Sequence, residues 1–211
     1  MELSEVALIH MSVEPAIRAV QVFRERGGML RTKEALELGV HPRVLYRLRD
    51  QGVIEQVSRG VYRLAAMPDL ANPDLVVVAL RVPRAIVCLL SALAYHDATE
   101  EVPHEVHIAL PRGTRAPRIE HPPIRVFWFS GPALSEGVEV VKVDGVQARI
   151  YDLPKTVVDC FRFRNKLGLD VAVDALDQAV RRKGVRPAEV LRYARLCRIE
   201  SVILPYVEAI R

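Results

Sequence analysis

Cysteine is scarce in this 211-residue sequence: Cys88, Cys160 and Cys197 lie far apart and form no C-x-x-C pair. An odd, scattered set argues against a disulfide framework or a four-thiolate zinc site, and reads as buried thiols of a reducing compartment. Long apolar runs are also missing. The best candidate, VVVALRVPRAIVCLLSALAY, is interrupted by Arg81, Pro83 and Arg84 and cannot serve as a bilayer span. The opening residues, MELSEVALIHMSVEP, lack a basic stretch followed by a long apolar one, so no leader is expected. These absences predict a cytoplasmic, soluble protein with no membrane partner.

Several catalytic signatures are absent as well. There is no Gly-Lys-Ser/Thr loop to cradle phosphate and no Asp-x-Asp pair of the metal-dependent nucleotidyltransferase kind. Lys142 and Lys155 are not in the E-x-K arrangement of restriction-type nucleases. His96, His104 and His107 lie near Asp97, Glu100, Glu101 and Glu105. If EVHIAL is a strand, however, His104 and His107 fall on opposite faces and cannot close one metal site. Asp170, Asp174 and Asp177 form a carboxylate stripe at helical spacing. It is explained by the dipole of an opening helical turn and by Arg181 four residues after Asp177. No enzyme, cofactor or metal is expected. A nuclease built on the His and Asp cluster is the rival, which metal-dependent cleavage lost in His104→Ala would reveal.

What is present is basic charge with a shape. The chain carries a formal +4 and half its residues are hydrophobic. From Met29 to Arg63, seven Lys and Arg face four Asp and Glu, so most of the excess lies in one short window. That window contains VHPRVLYRLRDQGVIEQVSRGVYRL, with Arg43, Tyr46, Arg47, Arg49, Arg59, Tyr62 and Arg63 set among regular apolar positions. Upstream, EPAIRAVQVFRERGG predicts a helix with Pro15 in its first turn and Ala16, Ile17, Val20 and Phe23 on one face. Thr32 is the expected N-cap of a short helix, KEALEL, ending at Gly39, and His41–Pro42 opens the next. Two short helices joined around a glycine describe a helix-turn-helix.

In the second of these helices Val44, Leu45 and Leu48 point one way, and Arg43, Tyr46, Arg47 and Asp50 the other. Gly52 stops it. Two extended runs joined at Arg59–Gly60 then predict a hairpin, the wing of a winged helix. A major groove about 12 Å wide admits one helix and presents acceptors that a guanidinium can pair with. Arg43 and Arg47 are therefore the candidate readers of bases or flanking phosphates, with Tyr46 beside them. Thr32, Lys33 and Arg59 are the candidate backbone contacts. The order of elements, more than any single arginine, points to DNA.

AAMPDLANPD, residues 65–74, reads as a linker. Asn72 and Pro73 open a helix, DLVVVALR, and Ser91 is the expected cap of ALAYHDA. Strands follow: EVHIAL, IRVFWFS, and VEVVKVDGVQARIYD with a hairpin turn at Asp144–Gly145. In IRVFWFS, Phe127, Trp128 and Phe129 place an aromatic on each face, which is core packing first and a protein-binding aromatic second. Four helical segments close the chain: PKTVVDCFRFRNK, LDVAVDALDQAVRRK, PAEVLRYARLC and VILPYVEAI. This predicts α+β: a winged helix at 13–66, and a larger domain at 72–211 with a mixed sheet and C-terminal helices. Arg112, Arg115 and Arg118 in one loop, and Arg181, Arg182 and Lys183 with Arg186, Arg192 and Arg195, offer a second basic surface.

PHEVHIALPRGTRAPRI and, above all, YDLPKTVVDCFRFRNKLGLDVAVDAL resemble the C-terminal half of the AbiEi antitoxins of bacterial type IV toxin–antitoxin operons. The N-terminal third looks like the winged helix those proteins carry. The resemblance implies a repressor that binds inverted repeats in its own promoter as double-stranded DNA. It also implies an antitoxin that neutralises a companion nucleotidyltransferase toxin, usually without a stable complex. Two alternatives stand beside this reading: an antitoxin acting by direct contact with its toxin, and a winged-helix regulator unrelated to toxin control. Monomer and dimer are both compatible with the sequence, and a symmetric operator would call for two copies.

Overall fold

The computed structural model describes residues 3–210, with side chains from Glu14 to Ile210. Residue contacts divide the chain into two units: Met1–Leu80 with Asp144–Val146, and Arg81–Val143 with Gln147–Arg211. The fold is α+β, a winged helix followed by a larger unit built on a mixed sheet.

The first unit opens with α1 (Leu3–Glu25), then β1 (Met29–Arg31), α2 (Thr32–Glu37) and α3 (Pro42–Asp50). The wing follows as β2 (Ile54–Ser58) and β3 (Val61–Leu64). Helix α1 begins twelve residues before Pro15, which lies inside it rather than in its first turn. LSEVALIH supplies enough good helix formers to carry the helix through a residue that forfeits one backbone hydrogen bond. Its buried stripe is also shifted from expectation. Ala19 and Phe23 are fully buried and Ala16, Val20 and Val22 pack at their flanks, whereas Ile17 is 62% exposed. Ala19 and Phe23 join Leu30, Ala35, Leu45, Leu48, Ile54, Tyr62 and Leu64 in one apolar cluster.

β3 is the middle of a three-stranded antiparallel sheet, in the order β1-β3-β2. Glu55 pairs with Arg63 and Leu30 with Tyr62 in register. Gly39, Gly52 and Gly60 all take positive φ, as the stops of α2 and α3 and the apex of the wing require.

In the second unit, α4 (Pro73–Arg81) straddles the unit boundary and leads to β4 (Ile86–Val87) and α5 (Leu89–Tyr95). β5 (Val106–Pro111), β6 (Ile124–Phe129), the short α6 (Pro132–Ser135), β7 (Val138–Val143) and β8 (Val146–Tyr151) follow. The sheet order is β6-β5-β4-β8-β7. β5 runs parallel to β6 and β4 parallel to β8, while β4 is antiparallel to β5, so the sheet is mixed. Asp144 (φ 47°) and Gly145 (φ 83°) close the β7–β8 hairpin with positive φ at both positions, the geometry that Asp-Gly favours. Ser91 does not cap α5; Cys88 holds that position. Ser91 instead lies buried inside the helix, where its hydroxyl accepts from the His107 backbone N–H at 2.9 Å.

The chain ends in α7 (Leu153–Arg162), α8 (Arg164–Leu167), α9 (Leu169–Asp177) with a π-helical turn at Gln178–Arg182, α10 (Pro187–Leu196) and α11 (Glu200–Ile210). α5, α9, α10 and α11 all pack on α7. Asp152 caps α7 by accepting from the Lys155 backbone N–H at 2.8 Å and from the Tyr193 hydroxyl. One turn in, Lys155 Nζ donates to Asp159 Oδ2 at 2.5 Å, and both side chains are wholly buried. The ammonium also lies 4.1 Å from the centroid of the Tyr151 ring. Burial pushes the Asp159 carboxyl up to about 6 from 3.8, against the opposing pull of Lys155.

Two outcomes follow for this buried pair. Lys155→Met strands a buried carboxylate and should lower unfolding free energy by roughly 3–5 kcal/mol in urea titration, with Lys155→Met/Asp159→Leu recovering much of the loss. A carboxyl whose pKa is raised by folding binds its proton more tightly in the folded state. Its contribution is therefore full below about pH 4 and lost as pH rises through about 6. Stability of the wild type relative to Asp159→Asn should fall across that window.

Candidate nucleic-acid interface

α3 is held by its apolar side. Leu45 and Leu48 are at most 2% exposed and lie in the cluster with Ala19 and Phe23 of α1, and Val44 is half-buried beside them. The helix starts where expected, at Pro42, with a cap that the sequence reading missed: His41 Nδ1 accepts from the Arg43 backbone N–H at 3.2 Å. A histidine before proline is a weak cap signal, which is why it escaped notice.

The opposite side of α3 carries Arg43, Tyr46, Arg47 and Asp50. Arg43 is exposed, and no described side chain forms an ion pair with it. Tyr46 is 44% exposed, with the Arg49 guanidinium 5.2 Å from its ring centroid. Arg49 in turn donates to Asp50 at 2.7 and 2.9 Å, which raises the arginine's pKa and ties its charge to the helix. Arg47 is half-buried at the edge of an open groove of about 580 Å³, between α1 and α3, whose floor includes Val20 and Leu48.

Around α3 the supporting contacts are backbone ones. Thr32 is not an N-cap: it is the first residue of α2, capped by Arg31 without a side-chain bond. Its backbone N–H donates instead to the carbonyl of Gly60 at 2.9 Å, joining the start of α2 to the apex of the wing. Lys33 is exposed and lies 3.7 Å from Glu37 one turn on. Arg59 is exposed at the wing's turn.

Two residues of the basic window face inward. Tyr62 is 4% exposed and belongs to the core cluster. Arg63 is 5% exposed. It binds the Glu55 carboxylate, the carbonyl of Pro68 at 2.9 Å and Asp69 at 3.6 Å. Its charge is spent inside the unit, and it braces the wing against the segment that follows.

The second unit holds the remaining basic candidates. Arg112, Arg115 and Arg118 are all exposed in the β5–β6 loop, which Trp128 pins by donating its indole N–H to the carbonyl of Thr114 at 3.1 Å. Trp128 is itself 43% exposed, while Phe127 and Phe129 are buried in the core. The other cluster is matched by acids: Arg181 lies 3.1 Å from Asp177, Arg182 3.7 Å from Glu100 and Lys183 3.7 Å from Asp97. Arg186 pairs with Glu189 and Arg195 with Glu200 in the same way, and Arg192 stacks over Tyr193.

β5 begins at Val106, so His104 precedes the strand instead of alternating with His107 along it. His107 is buried against Phe127, which pushes its pKa below the ordinary histidine value. His96 Nε2 lies 2.8 Å from the Tyr151 carbonyl. Among the described residues no three His, Cys, Asp or Glu side chains are grouped to hold a metal, and no helix is long and apolar enough to cross a membrane.

Residues 18–65, from within α1 to just past β3, match a family described as "Transcriptional regulator, AbiEi antitoxin". The two C-terminal motifs that carry the resemblance in sequence lie outside that segment. The crystal structure of the RV2827C protein from Mycobacterium tuberculosis is similar in fold. Its TM-score is 0.58 at 16% identity, covering 86% of this chain and 71% of that one. No curated protein matches.

Arg63 and Arg43 should separate in a stability assay. Arg63→Met removes charged hydrogen bonds from a buried position and should cost roughly 2 kcal/mol in chemical denaturation. Arg43→Ala should leave the midpoint unchanged within error.

Proposed function

We propose that this chain, whose residues 18–65 match the AbiEi antitoxin family of transcriptional regulators, is a DNA-binding repressor of its own operon and the antitoxin encoded there. The observation that carries the reading is the sidedness of α3: Leu45 and Leu48 are buried while Arg43 and Tyr46 face solvent. A helix held by one face and basic on the other suits a major groove. In this reading residues 13–66 bind DNA. Arg43 and Arg47 read base edges or flanking phosphates, and Tyr46 adds a phosphate or stacking contact. Lys33, the α2 start at Thr32 and the wing residue Arg59 hold the backbone on either side. The operator is an inverted repeat in the chain's own promoter.

Residues 72–211 form the antitoxin domain. Its target is the activity of a companion nucleotidyltransferase, silenced without a stable complex. Arg112, Arg115 and Arg118 are its best basic contact surface, because the cluster from Arg181 to Lys183 is matched by nearby acids. The alternative, direct contact with the toxin, is favoured by the half-exposed Trp128. Co-expression with the neighbouring gene product decides between them: a stable stoichiometric complex lost in Trp128→Ala supports direct contact.

Fluorescence anisotropy on a duplex carrying the promoter repeat tests the DNA reading. Arg43→Ala should weaken binding roughly ten- to hundred-fold and relax preference at one base position. Lys33→Ala should weaken all sequences alike and reduce the slope of log K against log salt by about one. Wild-type affinity in Arg43→Ala/Arg47→Ala would remove the assignment.

A further inference from the structure

β5 and β6 are parallel neighbours, with Pro111 opposite Phe129 and Val106 opposite Ile124. The chain leaving Pro111 must therefore travel back about 17 Å to enter β6 at Ile124. Parallel strands are usually joined through a helix. Here residues 112–123 make the return with no helix or strand of their own. That approaches the length at which an irregular connection usually carries a function.

This loop is basic. Arg112, Arg115 and Arg118 are exposed, and among the described residues no ion pair involves them, whereas Arg125 on β6 lies 3.5 Å from Glu105. The one acid within the loop is Glu120. The first half of the loop is also fastened down. The Arg112 backbone N–H donates to the Phe129 carbonyl at 2.8 Å, and the Thr114 hydroxyl donates to the Pro111 carbonyl at 2.7 Å. The Trp128 indole N–H donates to the Thr114 carbonyl at 3.1 Å, so the ring meets the loop one residue from Arg115. An indole has a single donor and here it is spent on the loop. What this 43% exposed side chain has left for a partner is its π surface.

Arginines strung along a track beside an open aromatic ring suit one kind of polyanion. Duplex DNA shows its phosphates but keeps its base faces stacked inside, so it would engage the arginines and leave the indole idle. An acidic protein segment would answer the charges, but it has no run of flat groups to set against the ring. A single strand presents both features: its backbone follows the cations and its bases stack on aromatic side chains. Unpaired bases are the usual target of proteins that read RNA.

We infer that the β5–β6 loop together with Trp128 is a binding platform for single-stranded RNA. Trp128 stacks on a base, and Arg112, Arg115 and Arg118 hold phosphates of the same strand. The inference goes beyond promoter binding and needs neither the operator nor the toxin.

Trp128 is the only tryptophan in the chain, so its own fluorescence reports the contact. Titrating the full chain with an oligouridylate of about twelve nucleotides should quench that emission to saturation, because a stacked base lies on the ring. Annealing the strand to its complement should abolish the quenching. In anisotropy with a labelled oligouridylate, Trp128→Ala should raise Kd about tenfold or more, and Trp128→Phe, which keeps a ring, should bind more tightly than Trp128→Ala. Arg115→Ala should preserve the quenching and lower the slope of log K against log salt by about 0.7. Arg43→Ala/Arg47→Ala should bind the oligouridylate as the wild type does, and Trp128→Ala should bind a promoter half-site as the wild type does. Failure here and failure of the DNA reading therefore give different results. Absence of quenching, quenching that persists with the duplex, or tighter binding of the corresponding deoxy strand overturns the inference. So does oligouridylate binding that is lost in Arg43→Ala/Arg47→Ala but kept in Trp128→Ala. Quenching by the neighbouring gene product and not by RNA overturns it as well, and assigns the ring to protein contact.

Discussion

Burying Leu45 and Leu48 against α1 orients everything that faces outward from the first unit. Each fully buried leucine contributes about 1.5–3 kcal/mol of apolar transfer, more than any exposed ion pair on the same helix can offer. That preference sets the rotation of α3 about its axis, and Arg43 and Tyr46 are exposed as its geometric consequence. α1 matters for the same reason. Ala19 and Phe23 are fully buried in the same cluster, so the direction in which Arg43 faces is decided by residues on another helix.

Much of this was readable in the order of residues. The α3 start at Pro42, the glycine stops, the wing turn and the Asp144–Gly145 hairpin carry local signals whose physics is complete within a few residues. Where tertiary surroundings decided, the pattern misled. β3 lies between two other strands and is buried along its whole length, so alternation could not place Tyr62 or Arg63. An arginine there looks like a surface charge until Glu55, Pro68 and Asp69 are seen to enclose it. β1, three residues long, is too short for any periodicity to announce. Ser91 had the chemistry of a cap, and its hydroxyl was claimed by a neighbouring strand instead.

The candidate interface was legible to a similar depth. Arg43 and Tyr46 are exposed as the helical period required, while Thr32 reached its position through its backbone and not through its side chain. In the second unit, charge counting alone could not separate the β5–β6 loop from the segment after α9, since both are rich in arginine. The distinction lies in acids contributed from distant sequence: Glu100 and Asp97 meet Arg182 and Lys183. The buried Lys155–Asp159 pair was hidden differently. Its spacing suits an ordinary surface pair, and only the packing of helices around α7 removes it from water.

The bond from Thr32 to Gly60 bears on how this architecture can change over time. Hairpin tips are ordinarily where chains absorb insertions, since nothing else depends on their length. Here the apex is fastened to another helix's first residue, so lengthening the wing would pull that carbonyl out of reach and strand an amide. Chains with this fold are therefore freer to vary the wing's side chains than its size.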